Sequence, residues 1–174
     1  MNERAHERSR LTRWNGTWSL ALVFGLASVP WTYAFVAELH IPLWPSFIAS
    51  ATYYATDETG IEGLKKGYAS NFAGILYAAA TIAVVDTVFA GSFVALSVVV
   101  GAFMFVASLH EFVPFLSFTP GGFFGYATMF SIDAAGATAF GIAGLGGETL
   151  AALVAMLIGA IIGIGTDELS TALG

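Results

Sequence analysis

Several ionisable side chains of this 174-residue chain lie at the ends of apolar runs. Few of them are therefore placed where they could carry chemistry. Coupled pumps usually hold a carboxylate or histidine at mid-membrane, where such a group is costly and is kept for function. We expect the groups found here to be solvated at an interface, which favours passive conduction over proton coupling. They are Glu38, His40, Asp86, His110, Glu111, Asp133 and Glu148.

Asp86 and Glu148 are the two acids that we would place at a pore mouth, since carboxylates lining a mouth attract cations. His110 and Glu111 do not predict a metal or acid–base site, because neighbouring residues of a helix face different ways. The chain has no cysteine, which excludes thiolate chemistry and disulfides. No nucleophile and base can be paired in the sequence, so we predict neither an enzyme nor a bound metal or cofactor.

Two stretches of the chain, 42–55 and 117–133, are related by a shift of 76 positions. We interpret this relation as an internal repeat, and such repeats decide how a fold is interpreted. Identical pairs under this shift include Phe47 and Phe123, Ala51 and Ala127, Thr52 and Thr128, and Gly25 and Gly101.

Thr52 and Thr128 are the polar pair within these stretches, and two interpretations of them are open. A hydroxyl inside a helix most often donates to the carbonyl four residues earlier. Alternatively the two threonines, together with Asn71, flank a central path and exchange hydrogen bonds with a small solute. Phe47 and Phe123 are either ordinary interface aromatics or hydrophobic constrictions that stop hydrated ions.

Each of the two stretches begins a helix abruptly, at Pro45 in the first and at Pro120-Gly121 in the second. Thr119 predicts a hydroxyl N-cap, and proline is favoured at the first helical position. The helices predicted over 41–55 and 119–132 are about 22 Å long, which is less than the roughly 30 Å of a hydrocarbon core. Their N-termini would point free N–H groups into the interior, so Pro45, Pro120 and Gly121 belong to the predicted path.

The composition predicts an all-α polytopic membrane protein. Hydrophobic residues make up 57% of the chain and charged residues 10%, and the mean hydropathy is +0.78. A soluble domain carries about 25% charged residues. The polar segments are too short for a separate soluble domain, and no basic patch indicates nucleic-acid binding.

Six apolar runs predict six transmembrane helices in one membrane domain over 14–166. A cytoplasmic basic tail, 1–13, precedes this domain and a cytoplasmic acidic tail, 167–174, follows it. We predict a polar loop over Thr56–Lys66 and a tight turn over Asp86–Ser92. The six runs are Trp18–Ala37, Ile41–Ala55, Gly67–Val85, Phe93–Leu109, Thr119–Ile132 and Thr149–Gly165.

The positive charges indicate an orientation. With a cytoplasmic N-terminus and six crossings, all six Lys and Arg residues fall on the cytoplasmic side, as the positive-inside rule requires. We therefore predict a cell-membrane protein with both termini in the cytoplasm. Six crossings divide into repeats of three, about 16–88 and 92–166, and an odd number makes the repeats inverted, as in many transporters and channels.

A stripe of small residues, spaced four apart, lies along the last run and predicts close helix packing on one face. Such stripes pack helices within a subunit or between subunits, and the sequence leaves both open. The small size of the chain leads us to expect a homo-oligomer. The stripe consists of Gly147, Ala151, Ala155, Gly159 and Gly163.

Two motifs make the chain resemble a known family. The motifs are Ser117-Phe118-x-Pro120-Gly121-x-Phe123-x-Gly125-x-Ala127 and Gly63-Leu64-Lys65-Lys66-Gly67. They resemble those of the YcdZ-type small inner-membrane proteins, a family of unknown function of the DUF1097 type. The resemblance covers most of the chain beyond the N-terminal tail. It implies a six-span integral membrane protein and supplies no activity, substrate or catalytic residue.

Two functions of different classes remain after these observations. The first is a channel or facilitator that passes a small neutral solute, such as urea, ammonia or a polyol, without proton coupling. The alternative is a non-transporting scaffold or accessory subunit of a larger membrane complex. The expected partners are the lipid bilayer, further copies of the chain and a small solute, and not nucleic acid.

Overall fold

The computed structural model describes residues 3–173, and the side chains of residues 15–173. Within residues 3–173 the chain is helical and forms no strand, in agreement with the all-α prediction. A π-helical turn extends the first helix to Leu39, and two 3-10 turns, Leu109–Phe112 and Pro114–Leu116, precede the fifth. The helices are α1 (Glu3–Tyr33), α2 (Trp44–Ala55), α3 (Gly60–Phe89), α4 (Phe93–Ser108), α5 (Thr119–Ala135) and α6 (Gly144–Leu173).

Four helical segments of the described chain are long and apolar enough to cross a membrane, as a membrane protein requires. The other two helices, α2 and α5, have 12 and 17 residues. At about 1.5 Å per residue they are about 18 and 25 Å long, shorter than a hydrocarbon core of about 30 Å. The four long segments are Asn15–Leu39, Gly60–Phe89, Phe93–Phe112 and Gly144–Leu173.

The helix starts differ from the predicted ones. Helix α2 begins at Trp44 rather than at residue 41, and Pro45 lies in its first turn. Phe118 takes the N-cap position of α5 and Thr119 is already helical, so the predicted hydroxyl cap of Thr119 is wrong. Proline fits both places because the first turn of a helix needs no donor from its N–H groups.

The predicted polar loop over Thr56–Lys66 is wrong in its second half, because α3 begins at Gly60. Its first turns therefore carry Lys65, whose ammonium lies 2.8 Å from the exposed carboxylate of Glu62. The predicted turn at Asp86 also differs, since α3 continues through Asp86 to Phe89. Helical propensity and i,i+3 pairing outweigh the polarity that suggested loops.

Helix α6 continues through the predicted acidic tail as far as Leu173. The tail begins with a contact to the bundle, where the Tyr53 hydroxyl donates to Asp167 Oδ2 at 2.7 Å. The same hydroxyl accepts from the backbone N–H of Gly60 at 2.9 Å. One tyrosine thus joins α2, the start of α3 and the end of α6.

Contacts between segments define two ends of the bundle. We call one the lysine end, because a pocket there is lined by Lys65 and Lys66 together with Pro114. At the opposite end Trp44 Nε1 donates to Ser131 Oγ at 3.0 Å, which joins the start of α2 to the end of α5. The two short helices therefore run antiparallel to one another.

Each short helix packs most extensively against a long helix from the other half of the chain: α2 against α6, and α5 against α3. Glycines bring these backbones together. A Cβ at Gly159 would collide with the backbone of Ser46, and a Cβ at Gly74 would collide with the carbonyl of Gly122. The long helices α3 and α6 also pack on one another, while α1 lies against α6 and α4 against α3.

We predict that Gly159→Val lowers the free energy of unfolding by about 2–3 kcal/mol, because the added carbons must displace backbone at the α2–α6 crossing. Gly165→Val is the matched control, since Gly165 lies on the same helix and a Cβ there meets nothing within 4 Å. Unfolding in mixed micelles, followed by circular dichroism during an SDS titration, measures both. Equal losses in the two variants would contradict this packing.

Candidate polar site at the helix crossings

Polar side chains lie in the interior of the bundle although its surface is largely apolar. Among the described residues, ten polar side chains are less than about a tenth exposed, and most lie on α2, α3, α5 and α6. Buried polar groups are normally hydrogen-bonded, so each member can be checked for its partner. The ten are Ser46, Ser50, Thr52, Ser70, Asn71, Thr81, His110, Thr128, Thr166 and Ser170.

Thr52 and Asn71 meet between α2 and α3, as the predicted path requires. Thr52 Oγ1 lies 2.8 Å from the carbonyl of Ile48 and 3.4 Å from Asn71 Oδ1. A hydroxyl has one hydrogen, and the shorter bond uses it. Asn71 Nδ2 is fully buried and has no hydrogen-bond partner within the described part of the chain.

Thr128 behaves differently from Thr52. Thr52 donates to the carbonyl four residues earlier, the arrangement expected for a helical threonine. The Thr128 hydroxyl is fully buried and finds no hydrogen-bond partner among the residues that the structure describes. Ser50 Oγ of α2 is also buried without a hydrogen-bond partner among these residues. It lies close to α6, since a Cβ added at Gly163 would be 3.2 Å from it.

Ser50, Asn71 and Thr128 therefore keep hydrogen-bonding capacity that the described protein leaves unused. Each buried polar group without a partner costs about 1–3 kcal/mol. Aliphatic residues of similar volume would avoid that cost. This unused capacity lies on α2, α3 and α5, in the interior of the bundle.

The two crossings contain pairs of residues that are separated by constant shifts in the sequence. The shift of 76 positions carries Ser46 of α2 onto Gly122 of α5, and a shift of 85 carries Gly74 of α3 onto Gly159 of α6. Each pair makes a close backbone approach: Gly159 on Ser46, and Gly74 on Gly122. The long helices thus follow a different shift from the short ones, because the α5–α6 connection is longer than the α2–α3 connection.

A tyrosine–threonine hydrogen bond accompanies each crossing. Tyr126 and Thr81 join α5 to α3 with hydroxyl oxygens 2.7 Å apart, and Tyr54 and Thr166 join α2 to α6 at the same distance. The shift of 85 carries Thr81 onto Thr166. Both threonines also donate to the carbonyl four residues earlier, so each tyrosine supplies the hydrogen for the bond between helices.

The residue that corresponds to Asn71 in the second half of the chain is not an amide. Thr128 is the equivalent of Thr52, and the shift of 85 carries Asn71, the neighbour of Thr52, onto Met156. Met156 is fully buried, and a thioether is only a weak acceptor. The second half of the chain therefore keeps the hydroxyl and replaces its amide neighbour.

The other residues of the predicted path do not gather around the threonines. Phe47 stacks on Trp31 of α1 with ring centroids 4.2 Å apart, and Phe123 is 39% exposed. Pro45 is buried in the first turn of α2, whereas Pro120 is exposed. These four side chains fix helix starts and outer packing.

Gly121 is the member of the predicted path that reaches α3. A Cβ at Gly121 would lie 2.8 Å from Ser70 Cβ and 3.4 Å from the carbonyl of Gly67. The start of α5 is thereby pressed against α3 directly beside Asn71.

The two acids of the predicted pore mouth are not paired with one another. Asp86 is exposed on α3. Glu148, in the first turns of α6, is half-buried and lies within hydrogen-bonding reach of the Asp133 carboxyl at the end of α5. The carboxylate next to Glu148 is thus Asp133, on the helix that precedes α6, and not Asp86.

The predicted small-residue stripe of α6 faces the interior of this chain, and all five members are buried: Gly147, Ala151, Ala155, Gly159 and Gly163. Gly159 meets the backbone of Ser46, and Gly163 meets Ser50 and Tyr53. The second half of the stripe thus packs α6 on α2 within one subunit, while Gly147 meets Ile142 just before α6.

Sequence reasoning missed His110, which was assigned to an interfacial turn. His110 does lie in a turn, but the structure buries its ring and joins Nε2 to the Tyr77 hydroxyl at 2.8 Å, so the expectation that this group is solvated is wrong. It also missed the two tyrosine–threonine bonds. The shift of 85 relating Thr81 to Thr166 is present in the sequence, but insertions between repeats hide it.

A family model described as "Protein of unknown function (DUF1097)" matches residues 21–171 of the chain. Comparison with curated proteins and with solved structures gives no match.

If the two crossings are equivalent, their tyrosine–threonine bonds should contribute similar coupling energies. We predict about 0.6 kcal/mol for each, and no more than about 1.7, from double-mutant cycles in mixed micelles. One cycle combines Tyr126→Phe with Thr81→Val, and the other combines Tyr54→Phe with Thr166→Val. Coupling in one cycle and none in the other would contradict the equivalence.

Proposed function

The chain belongs to the DUF1097 family, whose description states no function, and we propose that it is a membrane facilitator for a small neutral polar solute. Urea, ammonia and small polyols are the solutes of this class that we propose. The solute moves passively down its own gradient. The observation that carries the proposal is the unused hydrogen-bonding capacity of Asn71 and Thr128 in the interior of an otherwise apolar bundle.

The proposed architecture has six crossings in two inverted repeats, in the cell membrane, with both termini in the cytoplasm. Support comes from the antiparallel short helices and from the equivalent crossings of α2 on α6 and α5 on α3. Inverted repeats with short helices place a substrate site near the bilayer midplane, at the interface of the repeats.

The energetics favour a solute site over a purely structural core. In a membrane no bulk water is at hand to satisfy a buried amide or hydroxyl, so the unmade bonds of Asn71 and Thr128 destabilise the fold. Groups that reduce stability and are nevertheless present are typical of functional sites. Asn71 offers two N–H donors, and Thr128 can donate or accept. A neutral solute with both kinds of group fits this set.

A scaffold or accessory subunit of a larger membrane complex is the second candidate, and the packing of α4 favours it. Only Ala107 of α4 is buried, and Phe93, Val94 and Phe105 are between two thirds and five sixths exposed. A homo-oligomer or a partner helix would cover this face. Vesicles that stay tight to every solute, with co-purification of a larger complex, would favour this candidate.

We predict that Thr128→Val lowers urea flux at least several-fold and leaves the free energy of unfolding unchanged or raises it by up to about 1 kcal/mol. The substitution removes a buried hydroxyl that makes no hydrogen bond within the described residues, so the fold loses nothing. Stopped-flow light scattering on proteoliposomes measures the flux, and SDS titration measures stability. Adding Thr52→Val should reduce the flux further.

Thr87→Val is the matched control for both measurements. Thr87 is an exposed residue of α3 whose hydroxyl donates to the Ala83 carbonyl, away from the crossings. It should leave the flux unchanged. Wild-type flux in the Thr52→Val, Thr128→Val double variant, with the protein folded and inserted, would contradict the proposed site.

A further inference from the structure

The His110 ring lies at a depth where a charge would be costly. Residues 67–85 of α3 contain no charged side chain and are about 28 Å long, close to the thickness of a hydrocarbon core. Tyr77 lies near the middle of this stretch, between Lys66 and Asp86. Its hydroxyl is 2.8 Å from His110 Nε2, so the imidazole is held at the level of this uncharged stretch.

The ring is buried and only half satisfied. His110 is 5% exposed, and its Nδ1 has no hydrogen-bond partner in the portion of the chain that the structure describes. A neutral imidazole tolerates this position, because one nitrogen pairs with Tyr77 and the other carries an unused proton or lone pair. An imidazolium would be a buried cation with no anion at hand, which is strongly unfavourable.

The charged groups around the ring do not compensate such a cation. From α3 the titratable group against His110 is Tyr77, and on α5 the Tyr126 hydroxyl is engaged with Thr81. Glu111 follows His110 in the chain, but it is exposed. The acids and lysines of the lysine end line a pocket with Phe115, five residues further along.

The segment that carries His110 packs on α3 but is not α-helical, and part of it is exposed. Residues 109–116 form two 3-10 turns, whose hydrogen-bond geometry is poorer than that of an α-helix. Phe112 and Phe115 are 83% and 65% exposed. The attachments to α3 include the Tyr77–His110 bond and a long bond of 3.4 Å from Ser70 Oγ to the carbonyl of Leu116.

We propose that His110 is a proton-binding site inside the bundle, and that its protonation releases the segment 109–116 from α3. Neutral His110 is stable in the interior, whereas charged His110 must reach water or the bilayer surface. Residues 109–116 then move with the ring. Release uncovers Ser70 and the start of α5, directly beside Asn71. Protons would thus regulate access to the polar site from the lysine end, while the solute itself moves without proton coupling.

The chain has no cysteine, so one nitroxide label can be attached to a Phe115→Cys variant. Phe115 is exposed, and its replacement should be tolerated. We expect the electron paramagnetic resonance spectrum of the label, in proteoliposomes, to become several-fold more mobile as the pH falls from 8 to 5. The experiment requires no transport, so its outcome and that of the flux measurements are independent.

The His110→Gln background is the decisive comparison, since Gln keeps hydrogen-bonding groups and cannot become charged. The transition should disappear there. A label at Leu169→Cys on α6 should show no transition in either background. A spectrum of Phe115→Cys that does not change between pH 8 and 5, or the same change in His110→Gln, would overturn the proposal.

Tyr77→Phe provides a second variant should His110→Gln fail to fold. The phenyl ring keeps the stack on Phe103, whose centroid is 5.2 Å from that of Tyr77, but removes the partner of His110 Nε2. The label at position 115 should then be mobile already at pH 8. An immobile label at pH 8 with an undiminished transition would contradict the role of this bond.

Discussion

The close approach of helix backbones at two crossings is the constraint on which the rest of the bundle depends. Gly159 lies on the backbone of Ser46, and Gly74 lies on that of Gly122. Lipid supplies little hydrophobic drive between helices, so small residues and the dispersion contacts they permit hold such crossings together. The long helices therefore present glycine and alanine inward, and large apolar side chains such as Leu26 and Phe105 face outward. Each short helix is held by the long helix of the other half.

This arrangement explains where polar groups are found. A crossing dominated by small residues leaves few side-chain atoms with which a neighbouring amide or hydroxyl can form a hydrogen bond. The two halves of the chain differ in the residues they place there. Thr52 donates to the carbonyl of Ile48 and lies beside Asn71, whereas the shift of 85 carries Asn71 onto the fully buried Met156. Tyr126 and Tyr54 close both crossings with hydroxyl bonds to equivalent threonines. The unused capacity of Asn71 and Thr128 is thus confined to the bundle interior, where the proposed solute would bind.

Composition and the spacing of apolar residues were sufficient to predict the helical class and the long apolar helices. They also predicted the small residues that recur every four positions on α6. The shift of 76 aligns α2 with α5 through Thr52 and Thr128, and their relation as inverted repeats stays a prediction. The shift of 85 for the long helices could not be found, since insertions such as the longer α5–α6 connection interrupt the alignment. The depth of His110 could not be found either. The adjacent His110 and Glu111 indicated a solvated turn, whereas the burial of His110 depends on α4 ending at Ser108 and on its hydrogen bond to Tyr77.

The central claim is that α2 and α5 both cross the membrane, in opposite directions, within inverted repeats. Labelling of single-cysteine variants with a membrane-impermeant maleimide, in intact cells and in inverted vesicles, tests it directly because the chain has no cysteine of its own. We predict that cysteines at Glu58 and Phe115 react only in inverted vesicles, and that cysteines at Ala90 and Ala137 react only in intact cells. Reaction of the Phe115 and Ala137 positions from the same side would make α5 re-entrant and would contradict the account.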